Sequence, residues 1–315
     1  GLLEPVSTSK AKGSVMVKRA YADTSIGQIH YRYVKPEIPN ALPPLLLLHM
    51  SPASGLIYEN FMNVMGKSRV CIAPDTPGYG NSDSHKNPPT IQDYAKVMLE
   101  LIKNLELEEP VDVMGYHTGS MTAVEMVNQN SGAIRKLILV SAPIFSSEEL
   151  ERFDQTYGVE SIWTVDGEKL LSLWRWFVDF FRVGTVNTVE DAGRIFYERL
   201  SGRERYWWGH HAAFQYNFAA ALGAVAQPVL ILNPNDDLVD MTPRAATIVR
   251  NGLIQELPDM THGFLDSRYE EVVPILEDFL EGSVSQIQKP NLAGILSALT
   301  PDTTAESPDV DDTLF

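Results

Sequence analysis

The chain has 315 residues and carries 41 acidic against 25 basic side chains, a formal net charge of −16 at pH 7. That length accommodates one large domain, or one domain with an insertion, around a sizeable core. The charge excludes nucleic acid and an anionic membrane surface as partners, because both recruit basic patches.

The single cysteine, Cys71, sits in the apolar stretch Val70-Cys71-Ile72-Ala73. It reads as a buried, inert thiol, and with no intramolecular disulfide possible the chain suits a reducing compartment. No apolar run reaches membrane-spanning length, and no apolar segment follows the basic residues near the N-terminus. The expectation is a cytoplasmic, soluble protein without a membrane partner.

Residues 1–20 are small, polar and basic and read as a flexible leader. The alternation in Val15 to Tyr21 and in Gln28 to Val34 predicts two strands joined as a hairpin through Asp23 to Gly27. Four prolines between Pro36 and Pro44 break regular structure, and Leu45-Leu46-Leu47-Leu48 then reads as a strand buried on both faces. The turn-rich loop His49 to Gly55 follows. Ile57 to Met65 predicts a helix, Arg69 to Ala73 a strand, and Pro74 to Asp83 a dense cluster of turns. Thr90 and Asp93 offer the two halves of a capping signal for a helix running to about Leu105.

Next comes Val111-Asp112-Val113-Met114-Gly115-Tyr116-His117-Thr118-Gly119-Ser120, on which the reading turns. A short apolar strand ends in glycine, a second glycine lies four positions on, and a helical pattern follows. This is the strand–turn–helix grammar of a nucleophile elbow, G-x-S-x-G, with His117 where serine is usual. Ser120 falls inside the helix, pointing away from any pocket. Leu137 to Val140 and Val229 to Leu232 are further buried-strand runs, and Tyr269 to Leu280 a closing helix. Alternation of this kind implies an α/β fold with a mostly parallel sheet flanked by helices. Residues 144–226 give helical signals only and are rich in tryptophan, so they read as an inserted helical cap. The core is then 21–143 and 227–282, and the acidic tail 283–315 reads as partly disordered.

These motifs together resemble the α/β-hydrolase superfamily in its cap-bearing branch. Ile72-Ala73-Pro74-Asp75-Thr76-Pro77-Gly78-Tyr79-Gly80-Asn81-Ser82 is similar to that family's APDxxGxGxS loop, and His49-Met50-Ser51-Pro52 to its H-G-x-P oxyanion loop with Met50 replacing glycine. Asn233-Pro234-Asn235-Asp236-Asp237 stands where the family carries its acid, and Thr261-His262-Gly263-Phe264 where it carries its histidine. The resemblance implies a site of His117, Asp237 and His262, with Asp236 the competing acid. Asp237 would accept the second N–H of His262 and fix its tautomer. It also implies an oxyanion hole from the amides of Ser51 and Thr118, aimed at a carbonyl oxygen.

Three roles are open to His117: nucleophile through a labile acyl-imidazole, general base, or a residue that only orients a ligand. The pocket is expected to take in His49, Met50, Tyr116, Trp207 and Trp208. His210 and His211 are adjacent on a helix and point about 100° apart, so packing or pocket lining is expected rather than a shared ion. No metal or cofactor is expected. The partner is a small molecule, apolar or aromatic, and a homodimer stays open. The leading expectation is a cofactor-free enzyme hydrolysing an ester, lactone or C–C bond. The alternatives are a lyase, isomerase, cyclase or cofactor-independent oxygenase using the same histidine pair, and a non-catalytic ligand-binding protein.

Overall fold

The computed structural model describes residues 15–156, 161–184 and 186–282. The tail 283–315 and most of the leader lie outside the described residues. The strand β1 (Lys18–Thr24) begins within the span 1–20 assigned to a flexible leader, because it pairs in antiparallel register with β2 (Gly27–Val34) from Lys18 opposite Tyr33 onward.

Six more strands complete an eight-stranded sheet: β3 (Leu45–Leu48), β4 (Cys71–Pro74), β5 (Val111–Tyr116), β6 (Ile134–Val140), β7 (Val229–Pro234) and β8 (Gly252–Leu257). Their order is β1-β2-β4-β3-β5-β6-β7-β8, with β2 antiparallel to both its neighbours and every pair from β4 to β8 parallel. The strand β8 carried no clear sequence signal. It is an edge strand whose middle residues are only half-buried, so neither an apolar run nor a clean alternation marks it.

The apolar runs follow from burial on both faces. Leu46 and Leu48 join one core, Leu45 and Leu47 the other, as the two-residue period of a strand requires. The first core is closed by the helices α2 (Ile91–Asn104) and α3 (Thr118–Gln129), the second by α1 (Glu59–Met65) and, near the C-terminus, α9 (Phe264–Ser267) and α10 (Tyr269–Glu281). Thr90 and Asp93 cap α2 reciprocally, each side chain taking the other's backbone N–H. Cys71 is fully buried and its thiol is pushed up to about 12 by that burial.

Between β6 and β7 the described residues form five α-helices, α4 (Ser147–Thr156), α5 (Glu168–Phe180), α6 (Val189–Arg199), α7 (Trp208–Phe214) and α8 (Phe218–Ala224), with a 3-10 helix over Leu200–Arg205. This segment is tied to the loops at the strand ends. The Tyr79 hydroxyl donates to the Tyr206 carbonyl at 3.0 Å and accepts from the Gly209 amide at 2.7 Å, and the Gly80 amide donates to Ser201 Oγ at 2.8 Å. Asp75 braces those loops from below. Its carboxylate accepts from the amides of Gly55 at 2.9 Å and Asn81 at 3.0 Å, and it meets His30 Nδ1 at 2.8 Å and Arg32 at 3.4 Å.

Candidate active site

The elbow is built as its spacing predicts. His117 adopts φ 49° and ψ −109° at the junction of β5 and α3, a strained backbone for a residue with a side chain. The flanking glycines permit the turn. A Cβ on Gly115 would lie 2.2 Å from the Gly119 carbonyl oxygen, and one on Gly119 would lie 2.3 Å from that of Leu48. No larger residue fits at either position without moving backbone. Ser120 turns inward, donating to Gly115 O at 3.0 Å, so it takes no part in the pocket.

The expected acid is corrected. His117 Nε2 hydrogen-bonds Asp236 Oδ2 at 2.8 Å, whereas Asp237 Oδ1 stands 3.9 Å away and has no hydrogen-bond partner. No Asp237–His262 hydrogen bond forms, and His262 Nδ1 is itself buried and unpartnered. The cause is local. Asp236 Oδ1 accepts the Leu238 amide at 2.9 Å in a tight side-chain turn, and Oδ2 accepts Ser141 Oγ at 3.2 Å, which aims the carboxylate at the elbow. The Asn235 amide, donating to Met260 O at 2.7 Å, ties this loop to the one bearing His262.

The two imidazoles do meet. Their ring centres are 5.7 Å apart, and His262 packs on Phe180 at 4.3 Å and on Tyr116 at 5.8 Å. Burial among these rings, together with the charge of His117, pushes His262 down to about 3, so it is neutral. Burial alone would also lower His117, but the charges of Asp236 and Asp237 and the bond to Asp236 outweigh it and raise the pKa. Asp236 is correspondingly lowered: burial would raise it, but the charge and hydrogen bond of His117 prevail. Asp237 is raised, by burial above all. The arrangement is an imidazolium–carboxylate pair in the making, beside a neutral imidazole and a second carboxyl.

The pocket over His117 is lined by Ser51, Thr118, Phe145, His210, Phe214 and Leu238, among others, and has a volume of about 20 Å³. A larger cavity of about 290 Å³ adjoins it and shares Pro143, Phe145 and Phe214 as walls. Thr118 is the first residue of α3, so its amide is one of those without an intrahelical acceptor. Its hydroxyl donates to Ser51 Oγ at 3.0 Å, which brings both expected oxyanion residues to the same wall.

The remaining expected pocket residues lie elsewhere. His49 is buried behind the loop, with Nδ1 at 2.6 Å from Met50 O and Nε2 accepting the Thr76 amide at 2.9 Å; it holds two loops together. Met50 joins the second core and needs no positive φ, so replacing glycine there costs no backbone strain. Tyr116 lies beneath His117, its ring 4.8 Å away, as a fully buried support. Trp207 and Trp208 are not among the residues lining the pocket. The phase of α7 explains this: His210, Ala213 and Phe214, at i, i+3 and i+4, form its inner face. Trp207 instead faces His211 at 5.4 Å. His210 is the pocket residue the sequence marked only as packing or lining; burial first, then Arg199 and His117, push it down to about 3.

No metal ligands were expected, yet one ring nitrogen each from His117 and His262 and one oxygen each from Asp236 and Asp237 all lie within 4.8 Å of one another. Local sequence spacing could not show this, since the elbow, the end of β7 and the loop after β8 are far apart in the chain. No helix among the described residues is long and apolar enough to cross a membrane.

Known proteins match this architecture. A model of the alpha/beta hydrolase fold matches residues 43–167. Over 265 residues the chain is 24% identical to a poly(3-hydroxyalkanoate) depolymerase of Ectopseudomonas oleovorans, covering 79% of this chain and 87% of that one. An esterase from Exiguobacterium antarcticum superposes with a TM-score of 0.71 at 18% identity, over 84% of this chain and 100% of its own. An enol-lactonase from Burkholderia xenovorans superposes with a TM-score of 0.68 at 18% identity, over 83% of this chain and 100% of its own. With its eight-stranded, mostly parallel sheet flanked by helices, the chain has the α/β-hydrolase fold.

Proposed function

We propose that the protein hydrolyses a carbonyl-containing small molecule, an ester or lactone, with water rather than an elbow side chain as the attacking group. The observation that carries this reading is the 2.8 Å bond between His117 Nε2 and Asp236. It ties up the outer, less hindered ring nitrogen. The remaining nitrogen, Nδ1, stands next to the Cβ branch, a crowded position for acyl transfer but adequate for accepting a proton. A pKa raised by two carboxylates suits a proton acceptor and favours the base among the three roles open to His117.

In this reading a water in the small pocket gives its proton to His117 as it attacks the carbonyl carbon, and Asp236 stabilises the imidazolium formed. The tetrahedral intermediate then breaks its C–O bond, and the imidazolium returns the proton to the departing alkoxide, leaving acid and alcohol. A space of about 20 Å³ admits one water, since roughly 10–15 Å³ suffices. The Thr118 amide, with that of Ser51, supports the developing oxyanion. The substrate body occupies the cavity of about 290 Å³ beneath the helical segment, which acts as the cap. The esterase and the enol-lactonase, by their names, support ester and lactone bonds as the substrate class.

The test is turnover of a panel of esters and lactones by wild type and His117→Ala, with intact-mass analysis of enzyme quenched during turnover. Wild type is expected to turn over, the variant to lose activity, and no acyl adduct to accumulate. An acyl group trapped on His117 overturns water as the attacking group. Absence of turnover across the panel, with a bound small molecule unchanged, overturns the hydrolytic reading altogether.

A further inference from the structure

The four polar groups around the elbow leave an imbalance that hydrogen bonding within the protein does not resolve. Of the four, His117 and Asp236 satisfy each other at 2.8 Å. His262 is 6% exposed, and its Nδ1 has no hydrogen-bond partner. The Asp237 side chain is 3% exposed, and its Oδ1 is equally without one. An orphaned buried carboxylate oxygen and an orphaned buried ring nitrogen each cost free energy unless something else binds there. Both residues belong to the set of four that can each bring one ligand atom within 4.8 Å of the others.

We infer that His117, His262, Asp236 and Asp237 form a binding site for a single divalent first-row transition-metal ion, with zinc the ion best suited to two imidazoles and carboxylate oxygens. Mixed nitrogen and oxygen donors select such ions over calcium or magnesium, which take oxygen alone. Two ligand atoms each about 2.1 Å from one ion lie at most about 4.2 Å apart. In a tetrahedral set the ligand atoms lie about 3.4 Å apart, so a pair standing at 4.8 Å must close by up to about 1.4 Å through side-chain rotation, while the His117–Asp236 pair at 2.8 Å must open by about half an ångström. Two carboxylates and two neutral imidazoles balance the charge of a dication. Ser141 Oγ and the Leu238 amide, both held by Asp236, provide the outer hydrogen bonds that orient a ligand carboxylate.

The substitution at the elbow gains a rationale. A serine at position 117 would leave one imidazole and two carboxylates, whereas histidine completes two imidazoles and two carboxylates around one point. In the loaded protein the ion would carry the water that the ion-free site activates through His117, since a bound dication lowers the pKa of its water. The inference stands on the geometry of the four groups and does not require the hydrolytic reading to hold.

The experiment is metal analysis of the full chain, stripped with EDTA, dialysed against zinc and examined by mass spectrometry, with cobalt(II) as a spectroscopic probe. Wild type is expected to keep one zinc per chain and, with cobalt, to show the intense visible bands of a four- or five-coordinate site. His117→Ala and His262→Ala are each expected to weaken zinc binding at least roughly 100-fold, and Asp237→Asn about 10- to 100-fold. Substoichiometric zinc in wild type, or full binding retained by both alanine variants, overturns the site. If the variants fail to fold, the cobalt spectrum of wild type decides: no such bands at saturating ion overturns it. Ester turnover by stripped protein that binds no ion would leave the hydrolytic reading standing alone. A bound ion with no ester turnover would do the reverse.

Discussion

His117 and Asp236 are 119 positions apart in the chain and 2.8 Å apart in space, and this bond shows which of two adjacent aspartates meets the elbow histidine. Asp236→Asn keeps the shape and removes the charge that raises the His117 pKa. Turnover by EDTA-stripped protein is expected to fall about 10³- to 10⁴-fold with the fold intact, the scale seen when a catalytic histidine loses its carboxylate. Asp237→Asn, which leaves the His117–Asp236 bond in place, should cost less than about 10-fold in the same ion-free assay. Equal losses, measured as kcat, would remove the distinction between them.

That pairing also marks where sequence reading stops. The strands of the centre were legible because burial on both faces leaves runs such as Leu45 to Leu48, and α2 because Thr90 and Asp93 cap it. His117 and His262 were legible from the elbow and from the closing helix. The choice between Asp236 and Asp237 was not, because neighbours after a strand point to opposite sides and only the hydrogen bond to the Leu238 amide fixes which one faces in. The pocket wall failed for a similar reason. Trp208, His210 and Phe214 share one helix that starts just after Trp207, and its rotation is set by Gly209 against Ser51, a contact between distant segments. The metal-ligand set arises from three separate loops, so local spacing carries no trace of it.

Phe145 and Phe214 wall both the small pocket on His117 and the cavity beside it, with their rings 6.0 Å apart. Phe214→Ala merges the two spaces. Longer acyl chains should then be accommodated, each added methylene gaining up to ~0.8 kcal/mol, or about 4-fold in kcat/KM. A series of linear esters of increasing acyl length reads this directly. An unchanged chain-length profile would mean that substrate does not lie along these two rings.

Asp75 is expected to be a pillar of stability rather than of chemistry. Burial would raise its pKa, but the bonds from His30, the Asn81 amide and the Gly55 amide outweigh this and hold it below the usual carboxylate value. Asp75→Asn leaves donors unsatisfied in a buried setting, at a cost of about 3–5 kcal/mol in denaturant unfolding. The sign of the pH dependence follows from the depressed pKa. The stabilisation is complete above the unfolded value of ~3.9 and fades as pH falls through the folded value. The gap between wild type and variant should therefore be flat near neutrality and narrow in acid.

Gly209 is the point where α7 rests on the loop after β3. A Cβ there would lie 2.2 Å from Ser51 Oγ and 2.4 Å from Ser51 Cβ, with the Tyr79 hydroxyl at 2.9 Å. Gly209→Ala must therefore push α7 outward, although alanine is the better helix former by about 1 kcal/mol. The expected result is a loss of stability despite the improved propensity, together with a higher KM as His210 and Phe214 leave their places. Ser51→Gly removes both of the nearest clashing atoms. Combined with Gly209→Ala it should recover part of the lost stability, giving a coupling of roughly 0.5–3 kcal/mol in a double-mutant cycle. Strictly additive losses would show that the helix is not seated on Ser51, and with it the pocket wall assigned to α7 would fall.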